Sequence, residues 1–251
     1  MYLYLASMQK IISYPISVIY YLCFSTCLVI FHPIQWICLN GFGYQAHKKS
    51  VDYLNFFLVR CTNILGTTYK FENLQQIPKN VPLIIVANHQ SMYDIIAIIW
   101  YMRRCHCKFV SKRELGKGIP SVSYNLRHGG SVLIDRKDST QAIPTIKGLS
   151  EYIEKHTRSA VIFPEGTRSK TGEPKAFSQS GLKILCKYAP SAYVVPITIN
   201  NSWKMVRFGF FPCGLGNRLT FAIHEPIAVK EHTFEELLQK TEAAVVSKIK
   251  F

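Results

Sequence analysis

Residues 11–47 contain no Lys, Arg, Asp or Glu, and within them residues 11–31 form a 21-residue uncharged, largely apolar run. A helix of roughly 20 apolar residues is long enough to cross the hydrocarbon core of a bilayer. Lys10 precedes the run, and Lys48 and Lys49 follow a second apolar stretch, residues 34–42, that is too short to cross alone. His32-Pro33 lies between the two stretches. Proline lacks the backbone donor that continues a helix, so the pattern predicts an interruption there. One span plus an interfacial piece fits, and so does a re-entrant hairpin broken at Pro33. The run is long for a cleaved leader, and no small-x-small site follows Phe31, which favours a retained anchor. The flanking charges are too few to orient it by the positive-inside rule.

Beyond residue 47 the chain is basic. Its 30 Lys and Arg against 15 Asp and Glu give a net charge of +15. Such an excess favours anionic partners. The basic residues are scattered, and no nucleic-acid motif of recognised spacing occurs. An apolar N-terminus beside a basic body therefore points to membrane lipids, not nucleic acid. The eight cysteines include no C-x-x-C pair. Cys105-His106-Cys107 resembles half of a metal site, but no second half with ligand spacing follows. Free thiols, no metal and a reducing compartment are expected, which places the body of the chain on the cytoplasmic face of a membrane.

A chain of 251 residues has room for one α/β domain and a short appendage. The expected division is a membrane anchor with an amphipathic helix over 1–66, and a catalytic domain over 67–251. Val51, Leu54, Leu58, Cys61 and Leu65 recur at helical spacing and predict a helix over 50–65. From residue 80 the pattern alternates. Strands are expected at 83–87, 108–111, 131–134, 160–163, 193–199 and 219–223. Helices are expected at 92–104, 141–156, 181–188 and 234–250, the last opened by a Thr233/Glu236 capping box. The strands are apolar with little alternation, as strands buried on both faces are. The fold class is α/β, a central, mostly parallel sheet covered by helices, preceded by an apolar, membrane-associating helical segment.

Four short stretches carry candidate chemistry. Asn88-His89-Gln90-Ser91-Met92-Tyr93-Asp94 follows an apolar strand and opens a helix, the position where open α/β sheets bind ligands. Five residues turn an ideal helix by about 500°, leaving His89 and Asp94 roughly 140° apart. They can meet only if His89 lies in the entry turn and Asp94 in the first helical turn, an arrangement that Ser91 as helix cap supports. Asp94 would then hold one imidazole nitrogen and leave the other as a base. Phe163-Pro164-Glu165-Gly166-Thr167-Arg168-Ser169 follows another apolar strand. There Gly166 lets backbone approach a ligand, Arg168 offers a planar fork for phosphate oxygens, and Glu165 can hold Arg168 or bind a substrate hydroxyl. Gly130-Ser131-Val132-Leu133-Ile134-Asp135-Arg136 ends a strand on a charge that needs a partner. Val194-Val195-Pro196-Ile197-Thr198-Ile199 places a proline within a strand, which predicts an edge or a bulge.

In this order, these stretches resemble the four motifs of the glycerolipid acyltransferase family. The first resembles its N-H-x-x-x-x-D block. The stretch ending at Arg136 resembles G-x-x-F-I-x-R, with Leu133 in place of Phe. Residues 163–169 match F-P-E-G-T-R-S without a substitution, and residues 195–199 resemble V-P-[IV]-x-[IV]. The resemblance covers about residues 80 to 200 and is strongest to the branch that acylates 1-acylglycerol-3-phosphate. It implies that His89 takes the proton from the 2-hydroxyl of lysophosphatidate and that Asp94 orients His89. It also implies that Glu165, Gly166, Thr167 and Arg168 form the acceptor site, with Arg168 on the phosphate. Arg136 and Lys112 are further phosphate candidates. The acyl donor would be acyl-CoA or acyl carrier protein, with no metal or organic cofactor.

Overall fold

Strands and helices alternate around one mixed, mostly parallel sheet in the computed structural model, which describes residues 2–135 and 138–250. The strands are β1 (Thr68–Glu72), β2 (Leu83–Ala87), β3 (Cys107–Lys112), β4 (Val132–Ile134), β5 (Ser159–Ile162), β6 (Tyr193–Asn200), β7 (Arg218–Ile223) and β8 (Ile227–Ala228). Their order across the sheet is β1-β7-β6-β2-β5-β3-β4, with β8 also paired to β6. Five pairings are parallel, and only β7 and β8 run against β6. The helices are α1 (Tyr2–Thr62), α2 (Tyr93–Tyr101), α3 (Val122–His128), α4 (Ser139–His156), α5 (Gln179–Tyr188) and α6 (Phe234–Ser247). The Thr233/Glu236 capping box is formed at the start of α6.

Successive side chains of a strand point to opposite faces, and the two cores divide accordingly. Leu83, Ile85 and Ala87 of β2 pack with α1 and α2, whereas Ile84 and Val86 pack with α4, α5 and α6. Each fully buried aliphatic side chain stabilises the fold by roughly 1.5–3 kcal/mol. The apolar N-terminal helix is thus one layer of the fold. Tyr20 and Phe24 share a core with Leu58, Tyr93 and Ile98.

The expected break at Pro33 is not where α1 turns. The helix runs through Pro15 and Pro33 and bends at Gly43, whose φ of 75° and ψ of −168° are nearly exclusive to glycine. Cys27 and Cys61 then meet with sulfurs 3.8 Å apart, and the rings of Phe31 and Phe57 lie 5.8 Å apart. A straight helix would separate Cys27 from Cys61 by roughly 50 Å, so α1 is a helical hairpin. Contacts on both sides of Pro33 hold that stretch as one helix: the Ser121 N–H donates to His32 Nδ1, and the Asn40 amide donates to the Tyr124 hydroxyl.

Pro196 is not on an edge either. β6 is a central strand. Pro196 partners Val86 on β2, and on the other side of β6 it falls between the residues paired to β8 and those paired to β7. The missing donor therefore sits where β6 changes neighbours. Three elements were not expected from the sequence: the edge strand β1, the short strand β8 and the short helix α3.

Register brings the candidate residues to one edge of the sheet. Val86 of β2 partners Ile162 of β5, so His89 and Glu165 leave the sheet at the same level. Lys112 ends β3 opposite Ile134 of β4.

Candidate active site

His89 Nδ1 lies 2.9 Å from Asp94 Oδ2. A carboxylate can only accept, so Nδ1 carries the proton and Nε2 presents a lone pair. Asp94 is fully buried in the first turn of α2. Its Oδ2 also accepts from the backbone N–H groups of Gln90 at 2.8 Å and Ser91 at 2.9 Å. Oδ1 accepts from the Ser202 hydroxyl and, at 3.5 Å, from the Ser91 hydroxyl. The Ser91 hydroxyl in turn accepts from the Tyr93 N–H at 3.2 Å, but the helix cap itself falls at Met92, one residue later than the spacing suggested. The turn of 88–91 thus carries His89 back over the first turn of α2.

Three further contacts hold the imidazole and the turn that carries it. Its ring stacks on Phe163, with centroids 4.1 Å apart and planes 15° off parallel. The His89 carbonyl accepts from the Ser169 N–H at 2.8 Å, tying the 163–169 loop to the histidine. The preceding Asn88 clamps β2 to β6: its amide donates to the Ile199 carbonyl and its oxygen accepts from the Ile199 N–H. The side chain of His89 remains 12% exposed, so the imidazole can still be reached from solvent.

Glu165 stands beside this pair and is only 9% exposed. Both of its carboxyl oxygens are buried without a hydrogen-bond partner among the described residues. Burial pushes its pKa up to about 7. The nearby backbone amides of Lys175 and His89 oppose that shift, but neither closes a bond to it. Glu165 therefore does not hold Arg168, as the sequence had allowed. Gly166 turns the loop at φ 72°, a conformation costly for other residues. Thr167 and Arg168 are exposed, and Lys175 braces this segment by donating to the Thr167 hydroxyl at 2.8 Å and the Arg168 carbonyl at 3.0 Å. Lys112 is exposed on the same edge, two strands from β2. Neighbouring strands are about 4.8 Å apart, so this places it roughly 10 Å across. Arg136 lies outside the described residues.

Sequence reasoning missed Ser202 and Gln90. Ser202 follows β6, and its N–H donates to the Gln90 side chain at 3.0 Å. Only the pairing of β6 beside β2 brings it to Asp94, so no local spacing signals it. In the Cys105-His106-Cys107 stretch, His106 Nδ1 faces the Tyr44 hydroxyl at 3.0 Å. No cluster of three or more His, Cys, Asp or Glu side chains occurs among the described residues.

A 1-acyl-sn-glycerol-3-phosphate acyltransferase of Helicobacter pylori is 38% identical over 124 residues, covering 47% of this chain and 51% of that protein. A Saccharomyces cerevisiae protein of the same name is 27% identical over 208 residues, covering 82% and 62%. The chain thus spans about half to three-fifths of the length of these relatives. The crystal structure of the 1-acyl-sn-glycerophosphate (LPA) acyltransferase PlsC of Thermotoga maritima superposes with a TM-score of 0.76 over 96% of both chains. At 24% identity, that agreement shows a shared fold. The sequence pattern of the family described as Acyltransferase matches residues 68–200, more than half of the chain and all of the site except Ser202, and the chain belongs to that family.

Proposed function

We propose that this protein transfers a fatty acyl group from a thioester donor to the 2-hydroxyl of 1-acylglycerol-3-phosphate, making phosphatidate. The observation that carries the reading is the His89–Asp94 pair, with Nδ1 committed to a buried carboxylate and Nε2 free. His89 Nε2 takes the hydroxyl proton as the acceptor oxygen attacks the thioester carbonyl. The tetrahedral intermediate then collapses, the C–S bond breaks, and the imidazolium returns its proton to the departing thiolate. Asp94 stabilises the imidazolium between these steps. General base catalysis of this kind contributes about 10²–10⁴-fold. No protein nucleophile is required, because the acceptor attacks directly.

The acceptor fits along the catalytic edge. Arg168 and Lys112 are exposed cations on that edge, suited to the phosphate, and Arg136 follows the adjacent strand β4. A substrate hydroxyl would supply the partner that buried Glu165 lacks. The names of the relatives support lysophosphatidate as acceptor, and the donor is acyl-CoA or acyl carrier protein.

Membrane attachment is part of the proposal. Among the described residues one helix is long and apolar enough to cross a bilayer. Its residues Ile11, Val18, Leu22, Val29 and Ile37 are exposed along one face, while Tyr20 and Phe24 are buried on the other. A helix packed along the sheet cannot also traverse a bilayer. α1 would therefore lie in one leaflet with residues 67–251 on its cytoplasmic side, keeping the acyl chains of both substrates out of water. Each methylene left in water would cost about 0.8 kcal/mol.

The test offers purified full-length protein a panel of lysolipids with both donors. Lysophosphatidate should be preferred, its phosphate-free analogue should be poor, and His89→Ala should abolish transfer while leaving the unfolding temperature intact. Preference for a lysophospholipid bearing a headgroup would refute the acceptor assignment. Normal turnover by His89→Ala would refute the mechanism.

A further inference from the structure

At the other end of the sheet, where β3, β4 and β5 begin, basic side chains converge on a small cavity beside the bend of α1. Tyr44, His47, Lys48, Arg103, His106 and Lys108 contribute to its wall, and its volume is 20 Å³. Lys108 is 5% exposed, yet its ammonium makes no hydrogen bond or ion pair among the described residues. It rests 4.9 Å from the centre of the Tyr44 ring. The guanidinium of Arg158 lies 4.0 Å from the same ring centre, so two cations share one aromatic side chain. The only carboxylate lining the cavity, Asp52, is already paired with Lys48. His47 is 1% exposed, and its Nε2 is buried without a partner.

The cluster's one carboxylate, Asp52, is taken by Lys48, so Lys108, Arg103 and Arg158 have no anion of their own beside the donor-capable ring nitrogen of His47. Burial, then the charge of Arg158, pushes Lys108 down to about 8, which still leaves it protonated at neutral pH. His106 is pushed down to about 4 by burial and by the nearby lysines and Arg158, so it adds no charge of its own. The Lys108 ammonium lacks an anionic partner among the described residues, and a buried polar atom such as His47 Nε2 is normally satisfied in native proteins. We propose that this cluster is an anion site that takes a phosphate group, separate from the catalytic edge. A cavity of this size admits about one oxygen-sized group. One phosphate oxygen would enter beside Lys108 and His47, leaving the others to the half-buried guanidiniums of Arg103 and Arg158. The site adjoins the bend of α1, where Phe42 is 76% exposed. A lipid headgroup and free phosphate are therefore both possible sources of the same chemistry.

The experiment uses the full chain in an uncharged detergent, in an Arg168→Ala background that removes the proposed acceptor-phosphate contact. Thermal unfolding is followed against inorganic phosphate, dihexanoyl phosphatidate and phosphate-free dihexanoylglycerol, at matched ionic strength. Both phosphate-bearing probes should raise the unfolding temperature saturably, and dihexanoylglycerol should not. Lys108→Gln should weaken the apparent affinity at least about tenfold, as expected for losing one charge-assisted hydrogen bond. A tighter response to dihexanoyl phosphatidate than to phosphate identifies a headgroup as the source, and equal responses identify free phosphate. If Lys108→Gln does not fold, Arg158→Gln at the half-buried position carries the comparison. The proposal is overturned if neither phosphate-bearing probe produces a saturable shift, or if the shift is unchanged in the substituted proteins.

Discussion

Asp94 accepts more hydrogen bonds than any sequence motif announces, and its neighbours define what each substitution should cost. Asp94→Asn keeps the shape but turns an acceptor into a donor facing several N–H and O–H groups, and it removes the charge opposite the imidazolium. A loss in kcat of about 10²-fold or more is expected; equal activity of the two proteins would reduce Asp94 to a helix cap. Ser202→Ala removes one hydroxyl from Oδ1 and leaves the other donors in place. Its kcat should fall by less than in Asp94→Asn, with acceptor KM unchanged. A KM effect alone would place Ser202 in substrate binding instead. Glu165 has a pH signature. Its folded pKa of about 7 exceeds the ordinary 4.5 because burial disfavours the carboxylate. Between these values the folded state holds the proton more firmly than the unfolded state, so Glu165 lowers stability as pH rises through this window. The cost has an upper bound of roughly 3 kcal/mol. Glu165→Gln should therefore melt higher than wild type at pH 8 and alike near pH 4.5. Parallel pH profiles for the two proteins would show that Glu165 has found a partner.

At the scale of elements, the bend in α1 decides where the hairpin packs. Gly43 has space for a Cβ but the wrong backbone angle for one, at φ 75°. Gly43→Ala should cost roughly 1–3 kcal/mol through backbone strain alone. A lowered unfolding temperature, with reduced cross-linking of a variant retaining only Cys27 and Cys61, would report it; Pro33→Ala should leave both unchanged. The opposite pattern would return the break to Pro33. β2 and β5 belong to the same scale. Their parallel register sets His89 level with Glu165, and Asn88 locks β6 alongside, so the site is fixed by strand pairing as much as by loop conformation.

For the whole molecule, α1 has two apolar faces with different partners. One covers Leu58, Tyr93 and Ile98, and the other carries the exposed row from Ile11 to Ile37. Removing residues 1–42 should therefore not liberate a soluble catalytic domain. It should expose the first face and yield an aggregating or inactive protein, measured by size-exclusion chromatography and transfer assay. A monodisperse, active truncation would show that α1 is an appendage after all. The intact chain should float with anionic vesicles even in high salt, because apolar burial is not screened as surface charge is.

The sequence alone determined the elements whose physics is local. The burial of β2 on both faces and the capping box of α6 follow from spacing and side-chain type, and the His89–Asp94 meeting follows once His89 lies in the entry turn of α2. So did the basic balance and the apolar leader. Three things only the tertiary structure decided. The break in α1 moved from Pro33 to Gly43 because contacts with α3 hold the helix through the proline, while packing of Cys61 against Cys27 demands a turn ten residues later. β1 is an edge strand whose partner, β7, lies about 150 residues along the chain, and an exposed edge carries little apolar signal. Ser202 reaches Asp94 across 108 residues because β6 pairs with β2. Contacts closed by distant chain segments leave no periodicity for a sequence to display.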